Sequence, residues 1–242
     1  MTSKSDKKWN QWLAGLIDGD GQFRLADKKH PLCEIIVHLD DEPMLRKLQN
    51  KLGGSITKRS GVNALRWRST KKEVIIDLIQ RVNGNIRNTV RVPQFHRICE
   101  VFNIEVLPNE KLTLDNSWIS GFFDARGVGT INYYEMNNRL QLFIGISNKH
   151  KINLDDLVKL YGGKIHFDKG GKGTFKWIIN NEESHMIFYN YHFNNPCYSV
   201  KSKRIFLIKK FYELYNRKAY LISDSFLYKA WLEFDKKWKS FD

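Results

Sequence analysis

Trp12-Leu13-Ala14-Gly15-Leu16-Ile17-Asp18-Gly19-Asp20-Gly21 is written twice in this chain. A diverged copy, Trp118-Ile119-Ser120-Gly121-Phe122-Phe123-Asp124-Ala125-Arg126-Gly127, stands 106 positions later with Trp, Gly, Asp and the closing Gly in register. Both stretches are apolar on nearly every side, as a buried helix ended by glycine is. Gly15 and Gly121 remove side chains where two helices approach closely, and Ala14 and Ser120 beside them are small too. If the copies pack by these faces, both helix ends point at one spot and Asp20 lies beside Arg126. There the copies disagree: a carboxylate in the first, a guanidinium in the second.

The duplication runs well beyond the motif. Leu52-Gly53-Gly54-Ser55-Ile56 returns as Tyr161-Gly162-Gly163-Lys164-Ile165, and Arg66-Trp67 as Lys176-Trp177. Ile98-Cys99-Glu100-Val101-Phe102-Asn103 returns as Phe211-Tyr212-Glu213-Leu214-Tyr215-Asn216. Four matches in order mean an internal repeat. Each copy predicts a buried helix, two alternating strands (22–26 and 34–39; 130–134 and 140–147), and a short helix carrying Leu45, Leu48 and Leu52 or Leu154, Leu157 and Leu160. The double glycine then opens a second strand pair, 55–59 with 64–68 or 164–168 with 174–179, and helices follow at 73–82 and 182–192. A basic helix closes each copy, around 95–102 and 205–215. The expected class is α+β. Two pseudo-symmetric repeats occupy 1–106 and 117–222, with a linker over 107–116 and a C-terminal helix over 223–242. That last helix puts Leu227, Trp231, Phe234 and Trp238 on one stripe and Lys229, Lys236 and Lys237 off it, which suits docking on a core, with an RNA- or DNA-contacting tail as the alternative.

Among 242 residues, 40 Lys+Arg face 26 Asp+Glu, a net charge of +14 that points first to nucleic acid. A basic but ordinary soluble enzyme is the plain alternative. With 42% hydrophobic and 13% aromatic residues, long disorder is not expected. Cys33, Cys99 and Cys197 form no C-x-x-C pair, so they read as buried thiols in a reducing compartment rather than a zinc ribbon or disulfide framework. The opening residues Met1 to Lys8 carry no apolar signal region, and no run approaches the about 18 apolar residues a membrane helix needs, so a soluble chain is expected. His30, His38, His96, His150, His166, His185 and His192 show no H-x-x-x-H spacing, which argues against zinc. Gly170-Gly171-Lys172-Gly173 lacks P-loop spacing and reads as a hairpin turn. Abundant Lys, Asn, Ile, Phe and Tyr suit an A/T-rich organellar genome.

A carboxylate at a helix C-terminus, where the dipole adds negative charge, suits a hard divalent cation such as Mg²⁺. Two such acids about one axis suit cutting two phosphodiesters through water activated by the metal. The plainer alternative has Asp18 and Asp124 capping the turn and Asp20 as a solvated loop acid. The strands supply a reading surface. With Phe23, Leu25, Leu65 and Trp67 inward, Gln22, Arg24, Arg66 and Arg68 point outward, with Thr57 and Arg59 alongside. Thr130, Asn132, Gln141, Ser147 and Lys176 hold matching faces in the second copy. Arg, Gln and Asn can hydrogen-bond base edges in the major groove.

Leu13 to Gly21 resembles the LAGLIDADG motif of homing endonucleases and intron maturases at all but one position, and the resemblance extends over residues 9–220. It implies two αββαββα halves that meet at their motif helices and lay antiparallel sheets as a saddle over duplex DNA, in a monomer that is its own pseudo-dimer. It implies that Asp20, the last acid of its motif, binds Mg²⁺ and is catalytic, while Asp18 and Asp124 are structural. An assisting basic group is implied as well, for which Arg91 and Lys203 are candidates. Arg126 departs from the family pattern of Asp or Glu. A cation there cannot ligate Mg²⁺, although it could pair with Asp20 or hold a phosphate. The expectation is a sequence-specific, intron-encoded DNA endonuclease reduced to nicking or silenced. The alternative is a maturase-like splicing factor, or a recruited ribonucleoprotein component, that binds group I intron or other structured RNA without nuclease activity. The resemblance implies an organellar location, the mitochondrion first and the chloroplast second.

Overall fold

The computed structural model describes residues 3–27, 30–136, 139–170, 173–223 and 225–241. Two compact units share them: residues 1–129 with 195–199, and residues 130–194 with 200–242.

The first unit begins with α1 (Lys4–Asp20), capped by Ser3, whose hydroxyl accepts the Asp6 N–H at 3.1 Å. β1 (Gly21–Ala26), β2 (His30–His38), α2 (Glu42–Leu52), β3 (Ser55–Lys58) and β4 (Ala64–Ser69) follow, then α3 (Lys72–Val82), α4 (Val92–Val101) and α5 (Trp118–Asp124). The strands form an antiparallel sheet in the order β1-β2-β4-β3. Phe23, Cys33, Ile35, Val37, Leu65 and Trp67 form its buried side with Leu45, Leu48, Leu78 and Ile98 of the helices.

The motif helices α1 and α5 pack through their glycines. A Cβ on Gly15 would stand 1.9 Å from the Trp118 carbonyl oxygen, and one on Gly121 1.8 Å from the Trp12 carbonyl oxygen. Only hydrogen fits, so the interface predicted from Gly15 and Gly121 is present and backbone meets backbone. α5 has seven residues against seventeen in α1 and ends at Asp124, so Arg126 lies beyond the helix in a turn where Gly127 has φ of +70°. The expectation of a helix end at position 126 is corrected to a turn.

The second unit contains β5 (Gly129–Met136) from its second residue on, β6 (Arg139–Asn148), α6 (Asp155–Tyr161), β7 (Lys164–Asp168), β8 (Thr174–Ile179), α7 (Glu182–Asn194), α8 (Ile208–Asn216) and α9 (Phe226–Lys239). Its sheet repeats the same order, β5-β6-β8-β7. In both units the double glycine takes a left-handed backbone, with φ of +78° and +88° at Gly53 and Gly54 and +70° and +80° at Gly162 and Gly163. The repeated tryptophan explains the pair. Trp67 donates to the Gly53 carbonyl at 2.8 Å and Trp177 to the Gly162 carbonyl at 2.9 Å, which ties each glycine turn to the sheet.

The helix expected at 205–215 begins at Ile208, because Lys201–Leu207 winds more tightly as a 3-10 segment. α9 starts one residue after its cap Ser225 and buries Trp231, Phe234 and Trp238 against Tyr133 and Phe211. Gly173 N donates to the Gly170 carbonyl at 3.2 Å; Gly171 and Lys172, on which the expected hairpin turn falls, lie outside the described residues, as do Met1 and Thr2. Cys33 and Cys99 are buried free thiols; Cys197 is half-exposed, contrary to expectation. Among the described residues no helix is long and apolar enough to cross a membrane.

Candidate active site and nucleic-acid interface

Each motif tryptophan reaches the acid of the other motif. Trp12 Nε1 donates to Asp124 Oδ2 at 2.9 Å, and Trp118 Nε1 donates to Asp18 Oδ2 at 2.8 Å. The two acids also hold remote backbone. Asp18 accepts the Arg87 N–H at 2.7 Å, and its own carbonyl accepts from Asn88 Nδ2 at 3.0 Å. Asp124 accepts the Tyr198 N–H at 2.7 Å and the Ser199 N–H at 3.2 Å, together with the Ser199 hydroxyl. These acids therefore fasten distant segments onto the helix pair; they do not cap a local turn. Burial pushes the Asp18 carboxyl up to about 7, against the opposing pull of the Arg87 and Trp118 donors and the Arg91 charge.

Asp20, the last residue of α1, is half-buried, and its Oδ2 accepts the main-chain N–H of Arg126. The two mismatched positions are thus brought together as expected. The contact is made by backbone, however, and the Arg126 side chain is exposed with no ion pair or hydrogen bond to any described residue. The expected pairing of its guanidinium with Asp20 is absent, because the turn that places Arg126 N at the carboxylate directs the side chain to solvent.

Arg91, at the start of α4, lies in the field of this site. Its guanidinium is held below the usual range by burial, while Asp18, Asp20 and Cys33 act in the opposite sense. Lys203, in the second unit, has its Nζ 5.5 Å from the centre of the Phe241 ring. The duplication extends through one further stretch. Asn85-Ile86-Arg87-Asn88-Thr89-Val90-Arg91 matches Asn195-Pro196-Cys197-Tyr198-Ser199-Val200-Lys201, so Lys201 and not Lys203 stands in the register of Arg91. Among the described residues no three His, Cys, Asp or Glu side chains cluster as metal ligands.

The strand faces alternate as the sequence requires. In the first sheet Phe23, Leu65 and Trp67 are buried, while Gln22, Arg66 and Arg68 are half-exposed and Arg24, Thr57 and Arg59 exposed on the other side. Arg59 follows β3 in the hairpin, its N–H on the Ala64 carbonyl at 2.9 Å. In the second sheet Lys176 alternates with buried Trp177, with its Nζ 5.8 Å from the Phe143 ring, and stands opposite Ser147. Thr130 donates to the Gly145 carbonyl at 3.3 Å, and Gln141 is half-buried next to core Leu142. Asn132 is partly spent: its Oδ1 accepts from Trp238 Nε1 at 3.1 Å, which anchors α9 at the sheet edge.

A profile described as LAGLIDADG endonuclease matches residues 13–102 and 119–212, once per repeat. The chain belongs to the LAGLIDADG endonuclease family. It is 50% identical over 240 residues to a Saccharomyces cerevisiae protein named "Intron-encoded RNA maturase bI4", covering 98% of this chain and 37% of that protein. It is 36% identical over 248 residues to a Debaryomyces hansenii protein named "Probable intron-encoded endonuclease aI2", covering 96% of this chain and 38% of the relative. The chain thus spans little more than a third of the length of these two relatives. Among solved structures, the I-LtrWI LAGLIDADG homing endonuclease bound to target DNA shares its fold with a TM-score of 0.69 at 14% identity, over 98% of this chain and 97% of that one.

Proposed function

We propose that this LAGLIDADG protein binds duplex DNA sequence-specifically through the outward faces of its two sheets and cuts at most one strand. The carrying observation is the pairing of Asp20 with position 126, where the second repeat supplies a solvent-directed guanidinium and no acid. The residues fit a divalent ion of the Mg²⁺ type in one form only. Asp20 supplies one carboxylate at a helix end, and no three-ligand cluster exists among the described residues. Asp20 would be the one protein ligand of such an ion, a mode of binding that Mg²⁺ tolerates. When bound, the ion supplies the activated water for phosphodiester hydrolysis. Arg91 stands in the same field to neutralise charge on the phosphate. Gln22, Arg24, Arg66, Arg68, Thr57 and Arg59 in the first sheet, and Thr130, Gln141 and Lys176 in the second, contact bases and backbone.

A second reading, an RNA-binding maturase without nuclease activity, is favoured by the 50% identity to a protein named as an RNA maturase. The location in either case is organellar, first the mitochondrion. One experiment separates them. Duplex enriched by selection on the chain is placed in a supercoiled plasmid and incubated with Mg²⁺, beside a gel shift on structured intron RNA. Nicked circle without linear product supports the first reading. Tight RNA binding with no duplex selected supports the second.

A further inference from the structure

The outward face of the first sheet holds an acid among its cations. Glu34 of β2 stands opposite Gln22 of β1 and opposite Arg68 of β4, which in turn faces Ser55 of β3, so one row crosses all four strands. Ile36, Arg66 and Thr57 make the adjoining row. Glu34 Oε2 lies 3.9 Å from Arg66 Nη1, and the glutamate side chain is only 12% exposed. No described residue hydrogen-bonds that carboxylate, and the Nε atoms of Arg66 and Arg68 are buried with no partner. The two buried Nε donors and the Glu34 carboxylate thus leave hydrogen-bonding capacity that a ligand can take up.

The second sheet provides the contrast. Ile35 faces Trp67 and Ile146 faces Trp177, so Glu34, Arg66 and Arg68 correspond to Gly145, Lys176 and Ile178. No acid stands there, and Lys176 Cε lies 3.2 Å from where a Cβ on Gly145 would be. The acid-and-arginine row belongs to one half alone.

Building on the duplex-binding reading above, we propose that Glu34 is a specificity-determining residue that, with Arg66 and Arg68, reads a G·C pair in the half-site under the first sheet. A guanidinium pairs with guanine O6 and N7, and a carboxylate accepts from cytosine N4. The same carboxylate repels phosphate, so it lowers attraction to unrelated duplex while the matched pair is favoured. Its ion pair also restricts the Arg66 side chain before binding, which reduces the ordering cost of recognition.

The test is selection from a randomised duplex library on the full chain, followed by binding of the enriched duplex and of single-base-pair variants. The unmodified chain should enrich a G·C pair in one half-site. Glu34→Gln should lower discrimination at that pair by about tenfold while tightening binding to unrelated duplex. Arg68→Gln should lose the same discrimination without that tightening. Melting temperatures check that each variant folds. A merely structural role would lower the melting temperature and leave the discrimination of bound protein intact. If Glu34→Gln enriches the same pair with equal discrimination, the proposal fails and duplex reading stands. If the unmodified chain enriches no sequence, duplex reading fails and the proposal falls with it.

Discussion

Replacing Gly15 by alanine drives a methyl group into main chain. The added Cβ would stand 1.9 Å from the Trp118 carbonyl oxygen and 2.7 Å from Phe122 N, where ordinary contact begins at 3.4 Å. Neither atom belongs to a flexible side chain, so α1 and α5 must part by about 1.5 Å, a gap that forfeits much of the dispersion contact along the interface. Overpacking of this kind costs about 1–3 kcal/mol and more where backbone meets backbone, while alanine in a helix interior recovers about 1 kcal/mol. The clash wins. A net loss of about 3 kcal/mol corresponds to about 6–12 °C in a domain of this size. Gly121→Ala meets the Trp12 carbonyl at 1.8 Å, so the double variant should lose less than the sum, because one separation relieves both clashes. Gly61, with φ of +75° and nothing within 4 Å of an added Cβ, is the control, and its alanine variant should lose only about 1 kcal/mol. Thermal melting of the four proteins measures this. A Gly15→Ala protein melting no lower than Gly61→Ala would refute the close approach of the motif helices.

Three further outcomes are expected. Asp18, raised to about 7 from a usual 3.8, keeps its proton in the folded state where the unfolded chain has lost it, so its contribution to stability falls as pH rises from about 4 to 7. Asp18→Asn should flatten that part of a melting-temperature profile, and an unchanged slope would contradict the burial. His185 and His192 run the other way: burial holds both near 4, so stability falls as pH drops from about 6.5 to 4. His185→Gln, which keeps a group to meet the Tyr212 hydroxyl at 2.6 Å, should remove part of the acid-side loss in the same profile. Trp238→Ala empties a fully buried site and frees Asn132, and should cost about 3–5 kcal/mol in denaturant unfolding.

The fold was legible because the duplication carries its own check. Glycine at 15 and 121, the double glycines and the paired tryptophans each answer to one backbone requirement met twice. Strand faces were legible from alternation about Phe23, Trp67 and Trp177. What escaped was set by contacts far apart in sequence. Nothing local to Asp124 reports that residues 195–199 return to it, or that Asp18 holds Arg87. The short α5 and the tight 201–207 segment escaped as well, since the apolar pattern marks neither the end of the one nor the tighter winding of the other. The direction of the Arg126 side chain depended on that turn, so its charge was legible and its aim was not. Lys201 could have been found by extending the repeat through Val90-Arg91 and Val200-Lys201.

Metal-dependent cleavage of a selected duplex by the unmodified chain and by Arg126→Asp tests the one-acid site most directly. The substitution keeps the main-chain N–H on Asp20 and exchanges a guanidinium for a carboxylate. Removing a positive charge near Asp20 and adding a negative one both favour a divalent cation there. The unmodified chain should bind the duplex and leave at least one strand whole with Mg²⁺ present, and Arg126→Asp should bind equally well and cut both strands. Linear product from the unmodified chain at the rate of Arg126→Asp would contradict the account.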